Sequence, residues 1–172
     1  MIQYKKECEK MSKKQLLKTN AIRKIEQQKI PYQLHEYAWN EQQLDAIHVA
    51  KEMGVTPEEV FKTLVLHGDK TGYLVVCIPA FSELNLKLIA KLSHNKKVEL
   101  VPVNDLEKIT GYIRGGCSPI GMKKVFPTFI EESAKHHLTI RISAGKRGLQ
   151  VELNPNDLQQ LTKATWFLNH KE

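Results

Sequence analysis

The chain has 172 residues, a formal net charge of +7 and three cysteines, Cys8, Cys77 and Cys117. A chain of this length buries a full core without disulfide or metal staples, and the widely spaced cysteines, with no CxxC pair, exclude a disulfide framework and a zinc knuckle. No apolar run is long enough for a signal peptide or a bilayer span, so the sequence predicts a reduced, cytoplasmic protein.

The positive charge favours a partner that carries phosphates, but it does not identify one. Clustered lysines and arginines gain affinity for nucleic acid by releasing counterions, whereas many basic proteins bind no nucleic acid. Residues 1–18 carry six lysines and few apolar residues, which predicts a flexible basic lead. Residues 19–172 are predicted to form one domain.

The first elements are two short helices and a strand between them. Thr19 is placed to cap a helix that ends before Pro31, and residues 32–37 alternate as in a strand. Residues 44–53 repeat apolar positions at helical spacing, and Gly54 is placed to terminate that helix.

A cap and a hairpin follow. Thr56, Pro57 and Glu59 have the order of a helix N-cap, first residue and capping-box acid. Residues 60–66 and 73–78 are apolar and rich in β-branched residues on either side of a glycine-containing turn, which predicts an antiparallel pair.

The second half of the chain predicts further short helices and a second hairpin. The hairpin has a basic tip, residues 144–148, and the helix after it begins at Asn154 with Pro155 at its first position. The hairpins indicate antiparallel strand pairing, and the helices are expected to cover the sheet, so we predict an α/β (α+β) domain. The remaining elements are a helix at 86–92 capped by Asn85, a strand at 97–101, a helix at 105–110, a strand at 125–130 broken by Pro127, hairpin strands at 138–143 and 149–153, and a last helix with Ala164 and Trp166 inward.

Residues 111–121, the glycine loop, contain four glycines and a proline. Glycine allows positive φ and close approach of backbone to a ligand, and consecutive free N–H groups form a concavity for anions or carbonyl oxygens. A tight turn between two strands is the alternative for a glycine pair. Cys117 and Ser118 are the polar side chains within the loop.

Three cations stand near this loop in the predicted arrangement. Lys62 enters a buried strand, where its ammonium needs acceptors or an opening, unless it reaches water along Phe61. Lys146 and Arg147 occupy the basic tip. Together with backbone donors of the loop, these groups could hold a phosphate-bearing ester and stabilise an oxyanion on its carbonyl.

The sequence lacks the residue motifs that several classes of reaction require. The seven histidines and three cysteines show no metal-ligand spacing, and the GxSxG and GxxxxGK[ST] motifs are absent, so we expect no metal and no cofactor. Cys117 would need a neighbouring base or cation to act as a nucleophile, and we interpret it as a structural residue.

Three motifs resemble the YbaK/EbsC family of aminoacyl-tRNA editing proteins: residues 60–64 (VFKTL), 115–121 (GGCSPIG) and 145–149 (GKRGL). The resemblance covers residues 19–166, and the GGxSPxG form is closer to the cysteinyl-tRNA(Pro) deacylase branch than to the alanyl one. It implies a mixed, barrel-like β-sheet flanked by helices, YbaK-like in fold. It also implies hydrolysis of the ester that joins a wrong amino acid to the tRNA 3′ end.

The resemblance implies roles for individual residues. Lys62 corresponds to the family lysine that orients the substrate near the terminal ribose and phosphate, and the backbone of Gly115 and Gly116 contacts the substrate carbonyl. The thiol of the cysteine substrate attacks its own ester, so no protein nucleophile is needed. The acceptor end of tRNA is the expected partner, and prolyl-tRNA synthetase is a candidate partner. The expected substrate-binding residues are Tyr37, Cys117, Ser118, Pro119, Lys146, Arg147 and Gln150.

Two departures from the family pattern leave the amino-acid preference open. Relatives carry an aspartate where this chain has Gln150, and residues 40–47 lack an aromatic that some relatives have, for which Trp39 is a candidate substitute. A deacylase for another amino acid, such as alanine on proline tRNA, is therefore an alternative. A non-catalytic module that binds a tRNA end or a synthetase is the other.

Overall fold

The computed structural model describes residues 18–170, so the predicted basic lead lies outside the described residues except for Lys18. Short helices alternate with strands along this part of the chain, as the sequence predicts. The helices are α1 Asn20–Gln27, α2 Ala46–Met53, α3 Leu86–Leu92, α4 Val103–Thr110 and α5 Pro155–Thr162; the strands are β1 Gln33–Glu36, β2 Phe61–Gly68, β3 Gly72–Pro79, β4 Val98–Leu100, β5 Thr128–Glu131, β6 Ile140–Lys146, β7 Leu149–Leu153 and β8 Thr165–Phe167; Pro57–Glu59 and Glu132–His136 form 3-10 turns.

The strands form two sheets. One has the order β1-β7-β6 and is antiparallel, and the other has the order β4-β2-β3-β5-β8, in which β3, β5 and β8 run parallel. A parallel bridge between Val60 and Arg141 brings the start of β2 beside β6. The predicted mixed α/β class is confirmed. The strands do not close into a barrel, because the outer strands β1, β4 and β8 do not pair with one another in the described chain.

The main core lies against one face of the three-stranded sheet. Alternate residues of β6 and β7 point into it, as the period of two requires, and α1 and α5 cover it. Phe61 and Cys77 extend this core to the five-stranded sheet. The opposite face of the three-stranded sheet is left to polar side chains. The fully buried members include Ala21, Ile25, Ile140, Ile142, Ala144, Val151 and Leu158.

The helix caps follow the predictions at most positions. The side chains of Thr19, Asn85 and Asn154 each accept a hydrogen bond from a backbone N–H of the helix that follows. Gly54 ends α2 in the left-handed region at φ +65°. The helix α2 begins at Ala46, two residues later than predicted, and Asp45 caps it by accepting from the N–H of His48.

Three local predictions are wrong. Thr56 makes no side-chain cap, because the segment after it is a single 3-10 turn closed by the backbone bond from Glu59 N–H to the Thr56 carbonyl. Residues 125–127 are not a strand: Val125 is 90% exposed, and β5 begins only at Thr128, after Pro127, which has no N–H to donate. Trp166 lies in β8 and not in the last helix.

Within residues 18–170, none of the helices combines the length and apolar character that crossing a membrane requires.

Candidate functional site

The glycine loop packs against two other segments at its centre. A Cβ atom on Gly115, which has φ +83°, would lie 3.0 Å from Cδ2 of Leu44. A Cβ atom on Gly116 would lie 3.0 Å from the backbone N of Arg147 and from the carbonyl carbon of Lys146. Glycine is favoured at position 115 by its positive φ, and at position 116 because the backbone of the β6–β7 hairpin approaches so closely that a Cβ atom would be tightly packed.

The loop offers fewer free backbone donors than its composition indicates. The N–H of Gly116 donates to the carbonyl of Ile113 at 3.0 Å and is therefore not available to a ligand. Within residues 18–170 the N–H groups of Gly115 and Cys117 form no hydrogen bond. These two neighbouring donors are the ones that a carbonyl oxygen could use.

Arg147 joins three segments around the site. Its Nε donates to the carbonyl of Arg114 at 2.8 Å, its guanidinium lies 5.3 Å from the ring centroid of Trp39, and Nη1 is 3.8 Å from a carboxylate oxygen of Glu41. The sequence predicts a substrate contact at this position. That contact stays a prediction, and the contacts with the protein show that Arg147 holds the basic tip against the glycine loop and residues 39–41.

Tyr37 extends the β1–β7 ladder beyond the end of β1. Its N–H donates to the carbonyl of Gly148 at 3.0 Å. Burial raises the pKa of the Tyr37 hydroxyl, so this group is a neutral hydrogen-bond donor near pH 7. A Cβ atom on Gly148 would lie 2.7 Å from Cδ1 of Trp39, so the indole lies directly on the backbone of the basic tip.

Lys62 lies on β2, two residues after the bridge between Val60 and Arg141. Its side chain is partly buried. Burial lowers the pKa of the Lys62 ammonium, and the carboxylates of Glu83 and Asp45 act in the opposite direction. A cation in this partly desolvated position gains free energy when an anionic or carbonyl group approaches it.

Gln150 lies on β7 opposite His35 of β1 and Ser143 of β6, and directly opposed residues share a face of the sheet. It is only 5% exposed, and its Oε1 has no hydrogen-bond partner in the described chain. By contrast, Glu152 on the same face accepts from Thr139 at 2.6 Å and lies 2.6 Å from Nε2 of His35. The Oε1 atom of Gln150 is therefore an unused acceptor on the polar face of the three-stranded sheet.

The other polar residues of the loop serve its own structure. Burial raises the pKa of the Cys117 thiol to about 11, so the thiol is protonated near pH 7. Ser118 is fully buried, and its Oγ accepts from the N–H of Ile120 at 3.3 Å. Pro119 is buried as well. All three residues are buried, and their predicted contacts with a substrate stay predictions.

The structure therefore brings most of the predicted residues together. Gly115 and Gly116 touch Leu44 and the basic tip, the tip touches Trp39, and Tyr37 is bonded to the tip. Lys62 is close enough to Asp45, the N-cap of α2, for the carboxylate to raise the pKa of the ammonium. Lys146 is exposed at the rim.

Sequence reasoning missed Leu44 and Asp45 as neighbours of the site. Asp45 carried the signal of a helix cap, an acid just before the helical run, but Leu44 had no signal because it acts only through shape. The described residues contain no group of three histidine, cysteine or acidic side chains placed to hold a metal. A small cleft of about 100 Å³ lies between α2 and the segment before it, lined by Tyr37, Ala38, Trp39, Asn40, Gln43, His48, Val49 and Glu52.

Comparison with known families identifies the domain. The family model described as "Aminoacyl-tRNA editing domain" matches residues 40–161, which include Lys62, the glycine loop and the basic tip. The chain belongs to this family. Tyr37 lies just before the matched range. The expectation raised by the three sequence motifs is confirmed.

Individual relatives agree with this assignment. A protein of Enterococcus faecalis, provisionally named Cys-tRNA(Pro)/Cys-tRNA(Cys) deacylase EbsC, is 54% identical over 150 residues, which are 87% of this chain and 92% of that protein. A solved structure provisionally described as a trans-editing enzyme for prolyl-tRNA synthetase superposes with a TM-score of 0.77 at 19% identity, over 91% of this chain and 99% of the other. A second, of the hypothetical protein APE2540, gives 0.78 at 21% identity, over 86% and 97%. At these identities the two structures support the editing-domain fold alone.

Proposed function

We propose that this editing-domain protein hydrolyses mischarged aminoacyl-tRNA, with Cys-tRNA(Pro) as its substrate. The family assignment and the name of the Enterococcus relative support the reaction class. The observation that carries the proposal is Lys62, a partly buried ammonium that interacts with the charge of Asp45, while Leu44, the residue before Asp45, packs on Gly115 of the glycine loop. A cation and backbone donors in one place are suited to a phosphate-bearing ester and its carbonyl.

The N–H groups of Gly115 and Cys117 are the proposed donors to the ester carbonyl oxygen. They are held in place because Gly115 packs on Leu44 and Gly116 packs on the basic tip. Donors fixed before the reaction stabilise the negative charge that develops on the carbonyl oxygen without a cost of reorganisation. Lys62 is proposed to orient the terminal ribose and phosphate.

The attacking group is proposed to be the thiol of the substrate itself. Its sulfur forms a bond to the ester carbonyl carbon, the bond from that carbon to the ribose 3′ oxygen breaks, and the thiol proton passes to the 3′ oxygen. The products are tRNA and a cyclic cysteine thioester, which water then opens to cysteine. Cys117 is not the nucleophile, because burial raises the pKa of its thiol to about 11.

Gln150 is proposed to receive the α-ammonium group of the substrate. Its Oε1 is buried without a partner, and such an acceptor gains a hydrogen bond when a donor enters. A neutral amide contributes no charge attraction, unlike the aspartate at this position in relatives. We therefore expect weaker dependence on the charge of the amino group than a carboxylate would give.

The acceptor end of the tRNA is the partner that this reaction requires. Prolyl-tRNA synthetase is the proposed second partner, because one structural neighbour is described as a trans-editing enzyme for that synthetase. We expect the protein to work in the cytoplasm, where its proposed substrate is made and used.

The test is deacylation of Cys-tRNA(Pro) by the wild-type protein and by Lys62→Ala, Lys91→Ala and Cys117→Ala. Lys91, which is exposed on α3, is the matched control for loss of one lysine. We expect a loss of at least about tenfold in kcat/KM for Lys62→Ala, the size of one charge-assisted hydrogen bond, and near wild-type rates for the other two variants.

A parallel assay with Ala-tRNA(Pro) separates the alternatives. Alanine has no thiol, so the proposed chemistry predicts little hydrolysis of it. Equal rates on both substrates would exclude attack by the substrate thiol, and salt-sensitive tRNA binding without turnover would indicate the non-catalytic module.

A further inference from the structure

A second, larger cleft lies at the other end of the glycine loop. Its volume is about 530 Å³, and α1, the end of the loop, residues 122–126 and the end of α5 surround it. None of the described residues that line it is acidic, and four are lysines: Lys24, Lys123, Lys124 and Lys163. We call it the basic cleft.

The lysines of the basic cleft have no acidic partner among the described residues. A few other lysines of the described chain do form ion pairs, as Lys97 does with Glu99 and Lys135 with Glu132. Within residues 18–170 no ion pair includes a lysine of the basic cleft; the Nζ of Lys123 only approaches the carbonyl of Lys108, at 3.5 Å. Four like charges around one concavity without a carboxylate repel one another, and a polyanion would relieve that repulsion.

Helix ends explain part of this arrangement. Lys24 is in the last turn of α1, and Lys163 caps α5, where the helix dipole favours a positive charge. No helix dipole accounts for the positions of Lys123 and Lys124, since both lie in the irregular segment before β5. That segment also leaves Val125 90% exposed, so it presents both lysines at the surface.

The basic cleft adjoins the proposed ester site. Pro119 and Gly121 line the cleft, while Gly116 of the same loop packs on the basic tip. The five peptide steps from Gly116 to Gly121 can span at most about 17 Å. The lysines are therefore within reach of the first few nucleotides of a nucleic acid whose 3′ end enters the ester site.

We propose that the basic cleft binds the phosphodiester backbone of the tRNA acceptor stem. This inference rests on the proposed function for the identity of the RNA. Phosphates suit lysines that converge without carboxylates, and contacts of this kind place an RNA without reading its bases. A protein partner fits less well, because lysine is depleted at the centres of protein interfaces.

The experiment measures binding of uncharged tRNA(Pro) by fluorescence anisotropy between 50 and 200 mM KCl. The test variant is Lys123→Gln/Lys124→Gln, and the control is Lys87→Gln/Lys91→Gln, which removes two exposed lysines of α3 outside the cleft. Each lost phosphate contact makes the plot of log K against log salt shallower by about 0.9, so we expect about 1.8 for the test pair. Over this fourfold range of salt, the test variant then loses about 12-fold less affinity than wild type.

A second arm uses catalysis. The test variant is expected to raise KM for Cys-tRNA(Pro) with kcat unchanged, and to act like wild type on a cysteinyl ester of the terminal CCA trinucleotide. Equal salt slopes for the two double variants, both folded by thermal denaturation, would overturn the inference even if Lys62-dependent deacylation is found. A changed salt slope without any deacylation would instead support RNA binding by the basic cleft and reject the proposed function. Loss of synthetase binding at an unchanged tRNA slope would assign the cleft to a protein and would also overturn the inference.

Discussion

Replacement of Gln150 by methionine tests whether the buried amide is kept for function at a cost in stability. The side chain is 5% exposed, and its Oε1 has no partner in the described chain. A buried polar group without a hydrogen bond costs about 1–3 kcal/mol. Methionine has a similar length and no such group, so Gln150→Met removes the cost while keeping the volume.

We expect the free energy of unfolding of Gln150→Met to exceed that of wild type by about 1–2 kcal/mol. For a chain of this length, each kcal/mol raises Tm by about 2–4 °C. The same change removes the acceptor proposed for the α-ammonium group. Loss of one hydrogen bond to a charged donor raises the free energy of the transition state by about 1.5–3 kcal/mol, and kcat/KM falls accordingly.

The assays are urea denaturation and deacylation of Cys-tRNA(Pro) on the same preparations. Gln27→Met is the matched control, since Gln27 is exposed at the end of α1 and its replacement is expected to change stability by less than about 0.5 kcal/mol. A destabilised Gln150→Met, or one that is more stable but fully active, would refute the reasoning that the free oxygen awaits substrate.

Two further predictions concern the walls of the site. Gly116→Ala is expected to lower the free energy of unfolding by about 1–3 kcal/mol, because its Cβ would meet backbone atoms of Lys146 and Arg147 that cannot move aside, and an unchanged Tm would contradict this close packing. The pKa of Glu152 is lowered most by a hydrogen bond from Thr139 and less by one from His35. The stability that this carboxylate contributes is therefore present above its ordinary pKa of 4.5 and is lost as the pH falls through its folded-state pKa. Urea denaturation at pH 7, 5 and 3 is expected to show Glu152→Gln less stable than wild type at pH 7, with a difference that becomes smaller as the pH falls, whereas a difference that does not vary with pH would show that the carboxylate charge is not responsible.

The hairpins were the most predictable part of the fold. The strands flanking the turn at residues 68–72 and the basic tip occur where alternation and glycine place them. The strand β8 was missed, because its three residues are too few for a period and its pairing partner, β5, is more than thirty residues away in sequence.

The glycine loop shows which features of the candidate site could be predicted from the sequence and which required the structure. Its glycines indicated close approach of backbone, which the contact of Gly116 with the basic tip bears out. The burial of Cys117 and Ser118 was not readable from the sequence, since both side chains are polar. Nothing in the sequence indicated that Arg147 bonds to the carbonyl of Arg114, which is 33 residues away in the chain.

The sequence by itself determined the local elements, the mixed α/β class and the motifs of the editing family, because caps, alternation and glycine act over a few residues. Only the tertiary structure decided that Oε1 of Gln150 is buried without a partner and that four lysines from separate segments line one cleft. Burial and the convergence of charges depend on which distant segments meet, and no short-range pattern in the chain records that.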